Sequence, residues 1–279
     1  MFRVILFLIF IFDSTLALSN ESLSSSQIYN PFENISLDLN GYLITDFKKV
    51  GSDQKEYGSR FEANLSKKIN DNFLGYLEIA FDKDLEGERE GRVDDTLLGL
   101  NFDLTKFNYN DVEFELFGKS KTTIATSEES RENSSLRFSQ EIESGLKAPV
   151  FKNVHEFLPK LSVSLGYKKN IHEFKTHRNG ESNISSSLFQ KVSLTFSFKE
   201  DVSFGSSLKF TTPRTYEGET LTTKTLATHY ISAGLTKNIN LALIFLNSAD
   251  ILSTDRSETD ITYFDKDEST LLFNIAISI

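Results

Sequence analysis

The segment Leu161-Ser162-Val163-Ser164-Leu165-Gly166-Tyr167-Lys168 alternates at every step between an apolar side chain and a small or polar one. A period of two is the period of a β-strand, in which successive side chains point to opposite faces of the sheet. The same alternation follows in residues 192–198 (VSLTFSF) and 202–210 (VSFGSSLKF). We therefore expect strands with one apolar face and one polar face in this part of the chain.

The alternation extends outward from this region through residues 35–279 and predicts twelve strands. They cover 35–43, 61–69, 73–81, 98–104, 112–116, 136–146, 161–167, 192–198, 202–210, 227–235, 241–245 and 271–279. The connections between them alternate in length. Short turns are predicted at 70–72, 105–110, 199–201 and 237–240, with a longer one at 148–160. Long polar loops are predicted at 47–58, 83–94, 120–135, 170–184, 212–222 and 249–270.

An even number of strands, with short turns at one end and long loops at the other, is typical of a transmembrane antiparallel up-and-down β-barrel. The connections 148–160 and 249–270 could each contain a further hairpin, so the prediction is about twelve strands. A soluble β-sandwich alternates in the same way. We favour the barrel because the polar face carries too many Glu, Lys, Asn and Ser residues for a packed layer, and because closure leaves no unpaired strand edge.

The first 19 residues have the features of a secretory signal peptide. Met1 and Arg3 carry positive charge, residues 4–12 are apolar, and Ala17-Leu18-Ser19 provides small residues for cleavage. The alternative, a buried N-terminal helix, is disfavoured by Asp13 and the serine-rich segment that follows. We expect a signal peptide at 1–19, a polar lead-in at 20–34 and the barrel at 35–279.

The composition excludes several classes of function. The chain has no cysteine, which excludes disulfide frameworks, thiol catalysis and zinc ribbons. Its 30 basic and 40 acidic residues give a net charge of −10, which argues against nucleic acid as a partner. No cofactor or metal motif is present. The acidic loop 83–94 could hold calcium, but it lacks the EF-hand spacing and is interpreted as a solvated outer loop.

In its signal peptide and alternating strands, the chain resembles the twelve-stranded class of bacterial outer-membrane β-barrels over nearly all of residues 35–279. The resemblance is architectural and includes no family motif. It implies location in the outer membrane of a Gram-negative cell, with membrane lipid, lipopolysaccharide and the barrel-assembly machinery as partners. Such chains typically end on an aromatic residue, whereas this one ends on Ile279. With no tryptophan in the chain, tyrosines near strand ends are expected to anchor the membrane interfaces; among them are Tyr42, Tyr57, Tyr76, Tyr109, Tyr167 and Tyr263.

The polar face predicts the lining of a pore. Three lysines on neighbouring strands, Lys168, Lys191 and Lys209, are expected at similar depth among small residues. Glu62, Glu78 and Glu141 are expected to form an acidic side at a comparable depth. Opposed charges of this kind create a transverse field that orients polar solutes. The sequence therefore predicts a porin-like channel for passive diffusion of small hydrophilic solutes, with a plugged structural barrel as the alternative.

Two other functions stay open. His229 is predicted on the lipid-facing side, directly across the 237–240 turn from Asn247. With a hydroxyl from Ser206 or Thr212, this arrangement resembles an outer-membrane phospholipase site. The match is incomplete because that family places His and Ser two residues apart on one strand, and here positions 227 and 231 are Ala and Ile.

The carboxylate pairs Glu113/Glu115 and Glu141/Glu143 are interpreted as a cation site rather than a glycosidase pair. The long loops could also act as a receptor or adhesin surface.

Overall fold

The computed structural model describes residues 34–48, 57–85, 91–110, 112–150, 157–198, 202–250 and 269–279. The predicted signal peptide and all of the lead-in except Asn34 lie outside these ranges, as does Tyr263. The strands are β1 (Ile35–Asp46), β2 (Tyr57–Asn70), β3 (Phe73–Asp84), β4 (Gly91–Val93), β5 (Thr96–Tyr109), β6 (Val112–Ile124), β7 (Leu136–Pro149), β8 (Phe157–His172), β9 (Ile184–Phe198), β10 (Val202–Thr215), β11 (Lys224–Thr236), β12 (Ile239–Asp250) and β13 (Ser269–Ser278).

Twelve of these strands form one closed antiparallel barrel. Each long strand is hydrogen-bonded to its neighbours in the chain, and β13 pairs with β1 to complete the ring. The short strand β4 adds to the end of β3 through Phe81, Asp82 and Lys83. The prediction of about twelve strands is confirmed. Among the described residues, helix is limited to the segment Glu129–Asn133, and no helix is long and apolar enough to cross a membrane.

The two faces of the barrel wall differ as the alternation predicts. Large apolar side chains lie exposed on the outer face; Phe61 is 60% exposed, Leu165 61% and Leu188 64%. The other face of the same strands carries small and polar residues, and Ser164, next to Leu165, is only 3% exposed. Apolar residues therefore surround the barrel, and the interior is largely polar.

Several strands extend beyond their predicted ends. β5 continues to Tyr109, so the prediction of a turn over 105–110 is wrong, and the chain reverses between Tyr109 and Val112. The physical reason is a bulge between Asp103 and Thr105, which shifts the alternation by one residue and hides the rest of the strand from a period-two search. β6 likewise continues to Ile124 and β8 to His172, into segments predicted as loops.

Aromatic rings inside the barrel lie over glycines of neighbouring strands. The ring of Phe189 covers Gly166 so closely that a Cβ on this glycine would lie 2.0 Å from the ring Cζ. Tyr230 covers Gly205 in the same way, with 2.4 Å between such a Cβ and the ring Cε1. Glycine is required at these positions because any side chain would occupy the space of the ring.

Candidate pore lining

The inward side chains of β8, β9 and β10 form a basic wall. Lys191 and Lys209 are direct register partners, and Lys191 also pairs with Ser164 on β8. Lys168 pairs with Ser187 and lies within electrostatic range of Lys209. Among the described residues of these three strands, no inward position carries Asp or Glu. These strands therefore supply no carboxylate to neutralise their lysines. Because like charges directly opposite each other repel, Lys191 and Lys209 do not stabilise each other.

Phe189 supports this wall from within the barrel. The Lys209 Nζ lies 4.0 Å from the centroid of the Phe189 ring, and Phe189 itself is 3% exposed. Gly166, Phe189 and Lys209 thus form a stack across three neighbouring strands. The cation–π contact holds the ammonium group at a fixed place on the wall. The sequence interpretation did not identify Phe189, because the predicted strand began only at Val192.

Glu62 and Glu78 lie on β2 and β3, which stand six places from β9 and β10 in the ring of twelve strands. The Glu62 carboxylate accepts hydrogen bonds from the Tyr42 hydroxyl at 3.0 Å and from Arg60 Nε at 2.6 Å. Glu78 is in register with Asn64 on β2. The acidic side therefore stands across the barrel from Lys191 and Lys209.

Arg60 modifies the charge of the acidic side. Its guanidinium lies 2.6 Å from Glu62, 3.0 Å from Asp82 and 2.7 Å from Asp94. One cation is shared among three carboxylates, with Glu78 also nearby, so this side keeps an excess of negative charge. The predicted strand began at Phe61 and so excluded Arg60 by one position.

Glu141 occupies a different position from the other two glutamates. It is in register with Lys121 on β6 and with Lys168 on β8, so opposite charges alternate across three strands. The neighbouring Glu143 pairs with Lys119 and accepts a hydrogen bond from Ser164 Oγ at 2.6 Å. Glu141 therefore lies beside the basic wall, between lysines, and not across the barrel from them.

Tyr42 and Tyr76 are not interface anchors. Both side chains point inward, where Tyr42 donates to Glu62 and the Tyr76 ring covers Gly99. The alternation places Tyr42 on the same face as Asp38 and Asn40, so the strand period outweighs the preference of tyrosine for the interface. Tyr109 and Tyr167 are 65% and 43% exposed, as anchors require.

The inward face of β11, β12, β13 and β1 carries a stripe of apolar residues that the sequence interpretation did not identify. Tyr230, Ile244, Leu272 and Ile44 are in register across these four strands. Their outward neighbours, such as Leu243 and Phe273, are exposed on the other face. Along these strands both faces are locally apolar, which obscures which face is inward. We refer to these four residues as the apolar stripe.

At the long-loop end of the barrel, Asp94 and Asp95 join the β4–β5 junction to the interior and to the next loop. Asp94 contacts Arg60, as described above. Asp95 accepts hydrogen bonds from the backbone N–H groups of Thr126 and Ser127 at 3.1 and 3.0 Å and from Ser130 Oγ at 2.5 Å. Burial alone would raise the pKa of Asp95, but these hydrogen bonds outweigh it and hold the pKa below its usual range.

His229 and Ser206 are register partners on the outer face, as predicted for the lipid-facing side. The prediction that Asn247 lies directly across from His229 is wrong, because His229 pairs with Phe245 and Asn247 pairs with Ala227. The Asn247 Oδ1 accepts a hydrogen bond from Ser269 Oγ at 2.9 Å. Thr212 shares a hydrogen bond with Thr223. The His229 ring lies 6.0 Å from that of Phe245, and no hydrogen bond joins it to Ser206 or Asn247 in the described part of the chain.

No group of three or more His, Asp or Glu side chains in the described ranges is placed to hold a metal ion. No protein-family model and no curated protein matches the sequence. Solved structures are similar in fold. An outer-membrane channel from Pseudomonas putida F1 matches with a TM-score of 0.57 and 10% identity, over 92% of this chain and all of that one.

The NanC porin matches with a TM-score of 0.53 and 9% identity, over 87% of this chain and 98% of that one. At this level of identity the comparisons establish the fold alone. That fold is the closed membrane β-barrel of outer-membrane channels, and it covers nearly the whole of both chains.

Proposed function

We propose that the protein is a porin-like channel of the outer membrane, through which small hydrophilic solutes diffuse passively. The observation that carries this proposal is the separation of charge inside the barrel, with Lys191 and Lys209 on one wall and Glu62 and Glu78 on the wall six strands away. A closed barrel with apolar side chains on its outside and charged side chains on its inside can carry water and polar solutes across a hydrocarbon layer.

In this proposal Lys168, Lys191 and Lys209 form the basic side of the constriction. Glu62 and Glu78 form the acidic side, and Glu141 lies beside the basic side, between Lys121 and Lys168. Export through a signal peptide at 1–19, insertion by the barrel-assembly machinery and contact with lipopolysaccharide belong to the same proposal. The outer-membrane channel with which the chain shares its fold supports it.

The test replaces a lysine of the basic wall. In planar bilayers, Lys191→Glu is expected to shift the ratio of cation to anion permeability toward cations on the order of threefold, because charge at a constriction sets the local ion concentration. Lys169→Glu makes the same change in charge on the outer face of β8 and should leave the ratio unchanged. If the two variants behave alike, the charged constriction is wrong. If the purified protein conducts no ions, the channel itself is wrong.

The phospholipase-like alternative rests on the register pairing of Ser206 with His229. A serine hydroxyl and an imidazole on the same face could act as nucleophile and base. Release of fatty acid from labelled phospholipid that disappears in His229→Ala would establish this activity. The loop receptor alternative would be supported if deletion of residues 173–183 abolished binding of a partner without changing conductance.

A further inference from the structure

We propose that the channel selects amphiphilic monoanions, solutes with one carboxylate group and a compact apolar body. This inference rests on the proposed channel function and names its substrate class. It follows from the position of the apolar stripe beside the basic wall, on consecutive strands of the same inner surface.

Counted from the strand ends at the long-loop side of the barrel, the two features lie at similar positions along their strands. Lys209 is six residues before the end of β10 at Thr215, and Tyr230 is six residues after the start of β11 at Lys224. Ile244 is six residues before the end of β12 at Asp250, and Lys191 is seven after the start of β9 at Ile184. From β9 to β12 the inner surface therefore changes from two ammonium groups to an aromatic ring and then to an aliphatic side chain.

Tyr230 connects the two parts. Its ring lies over Gly205 on β10, four residues along the strand that carries Lys209, so the apolar stripe reaches the strand of the basic wall. Beyond Ile244 the surface continues to Leu272 on β13 and Ile44 on β1. Neighbouring strands are about 4.8 Å apart, so two or three strands accommodate an apolar body of about 10 Å with a carboxylate at one end.

Apolar side chains that line a water-filled channel are poorly hydrated, and a solute that covers them gains the free energy of burying apolar surface. A purely hydrophilic anion gains only the contact with the lysines. A neutral apolar solute gains only the contact with the stripe. A solute that combines both groups satisfies the two surfaces together and is therefore retained longest.

The experiment measures interruption of the potassium chloride current through single channels by three probes: 4-phenylbutyrate, gluconate and 4-phenyl-1-butanol. We expect half-block by 4-phenylbutyrate at a concentration about tenfold lower than by either of the others, since removing either contact removes about one decade of affinity. Ile244→Asn and, separately, Leu272→Asn should each raise the half-block concentration of 4-phenylbutyrate severalfold and leave that of gluconate unchanged.

Asn40→Ser, an inward substitution on β1 below the stripe, is the matched control and should not alter block by any probe. Potassium chloride conductance in the absence of a probe shows that each variant is folded and open, and block is expressed relative to that variant's own conductance. Equal block by 4-phenylbutyrate and gluconate, or indifference of 4-phenylbutyrate block to both stripe variants, overturns the proposal while the channel function stands. Absence of conductance in the unaltered protein would instead contradict the channel function itself.

Discussion

Phe189 positions Lys209, one of the three lysines of the basic wall. Its ring lies between the backbone of Gly166 on β8 and the ammonium group of Lys209 on β10. The distance from the ring centroid to the Lys209 Nζ is 4.0 Å. A lysine side chain has many rotamers, and a ring contact reduces them at modest free-energy cost. The absence of a side chain at position 166 is thus what allows the charge to be positioned.

Substitution of that glycine is expected to destabilise the barrel. The new Cβ of Gly166→Ala would lie 2.0 Å from Phe189 Cζ, so the ring must move and lose its contact with Lys209. We expect a loss of about 1–3 kcal/mol in the free energy of unfolding, as for other overpacked sites. Urea denaturation in detergent, followed by circular dichroism, measures it.

Gly58→Ala is the control for this substitution, because a Cβ there meets its nearest atom at an ordinary 3.7 Å. In a Phe189→Leu background the penalty for Gly166→Ala should shrink, since the ring is gone. Equal destabilisation by Gly58→Ala and Gly166→Ala would show that strand backbone, and not the ring, determines the effect.

Among the elements, the rim loops are ordered by side chains that contact backbone. Asp95 accepts two backbone N–H groups and one hydroxyl from the β6–β7 loop, and Thr126 Oγ1 donates to the Asp94 carbonyl at 2.9 Å. At the far end of the same β6–β7 loop, Asn183 is fully buried and its Nδ2 donates to the carbonyls of Ser134 and Phe174. These contacts tie neighbouring loops together and fix the entrance of the barrel.

Asp95→Asn is expected to loosen the β6–β7 loop. An amide has only one acceptor oxygen and no charge, so at least one of the three hydrogen bonds is lost and the others weaken. Protection of the Thr126 and Ser127 amides from hydrogen exchange at pH 7 should fall about tenfold. Asp71→Asn, at the opposite end of the barrel and paired with Lys68, should have no effect on these amides.

The same carboxylate makes the loop sensitive to acid. Because folding lowers the pKa of Asp95, its stabilising contribution is complete above the ordinary Asp value of about 4 and is lost as the pH falls through the lower pKa of the folded state. Protection of both amides in the unaltered protein, corrected for intrinsic exchange, should therefore decline below about pH 4. Constant protection across that range would contradict the role assigned to Asp95.

The period of the side chains predicted the elements better than their ends. All twelve long strands were predictable because one face of each had to be apolar. The end of β5 was not, because the bulge at Asp103 and Thr105 changes the phase of the alternation. The short strand β4 was not predictable either, since three residues are too few to show a period. Strand ends that extend beyond the apolar band of the barrel face water on both sides, so their side chains need not alternate between apolar and polar.

At the scale of the whole molecule, the sequence predicts whether a side chain lies on the inner or outer face of the barrel wall, but not its position along the barrel axis. Lys168, Lys191 and Lys209 were predicted at one level; the register pairs Lys191 with Lys209 directly, but pairs Lys168 with Ser187, four residues from Lys191 on β9. Glu141 was predicted with the acidic side, yet the register places it between Lys121 and Lys168. The offset between neighbouring strands depends on the shear of the closed barrel, which is a property of the ring and of no single strand.

The assignment of inside and outside makes a prediction for the whole barrel. Leu165 lies near the middle of β8 on the outer face and is 61% exposed, so Leu165→Arg would place a charge in the hydrocarbon layer. We expect a loss of about 2–4 kcal/mol on folding into phospholipid vesicles. Asn64→Arg introduces the same charge on the inner face, in register with Glu78, and should fold nearly as well as the unaltered chain. Since the chain has no tryptophan, circular dichroism and heat-dependent gel migration measure the folded fraction. If Asn64→Arg prevented insertion and Leu165→Arg did not, the apolar face would not be the lipid face, and the channel would lose its physical basis.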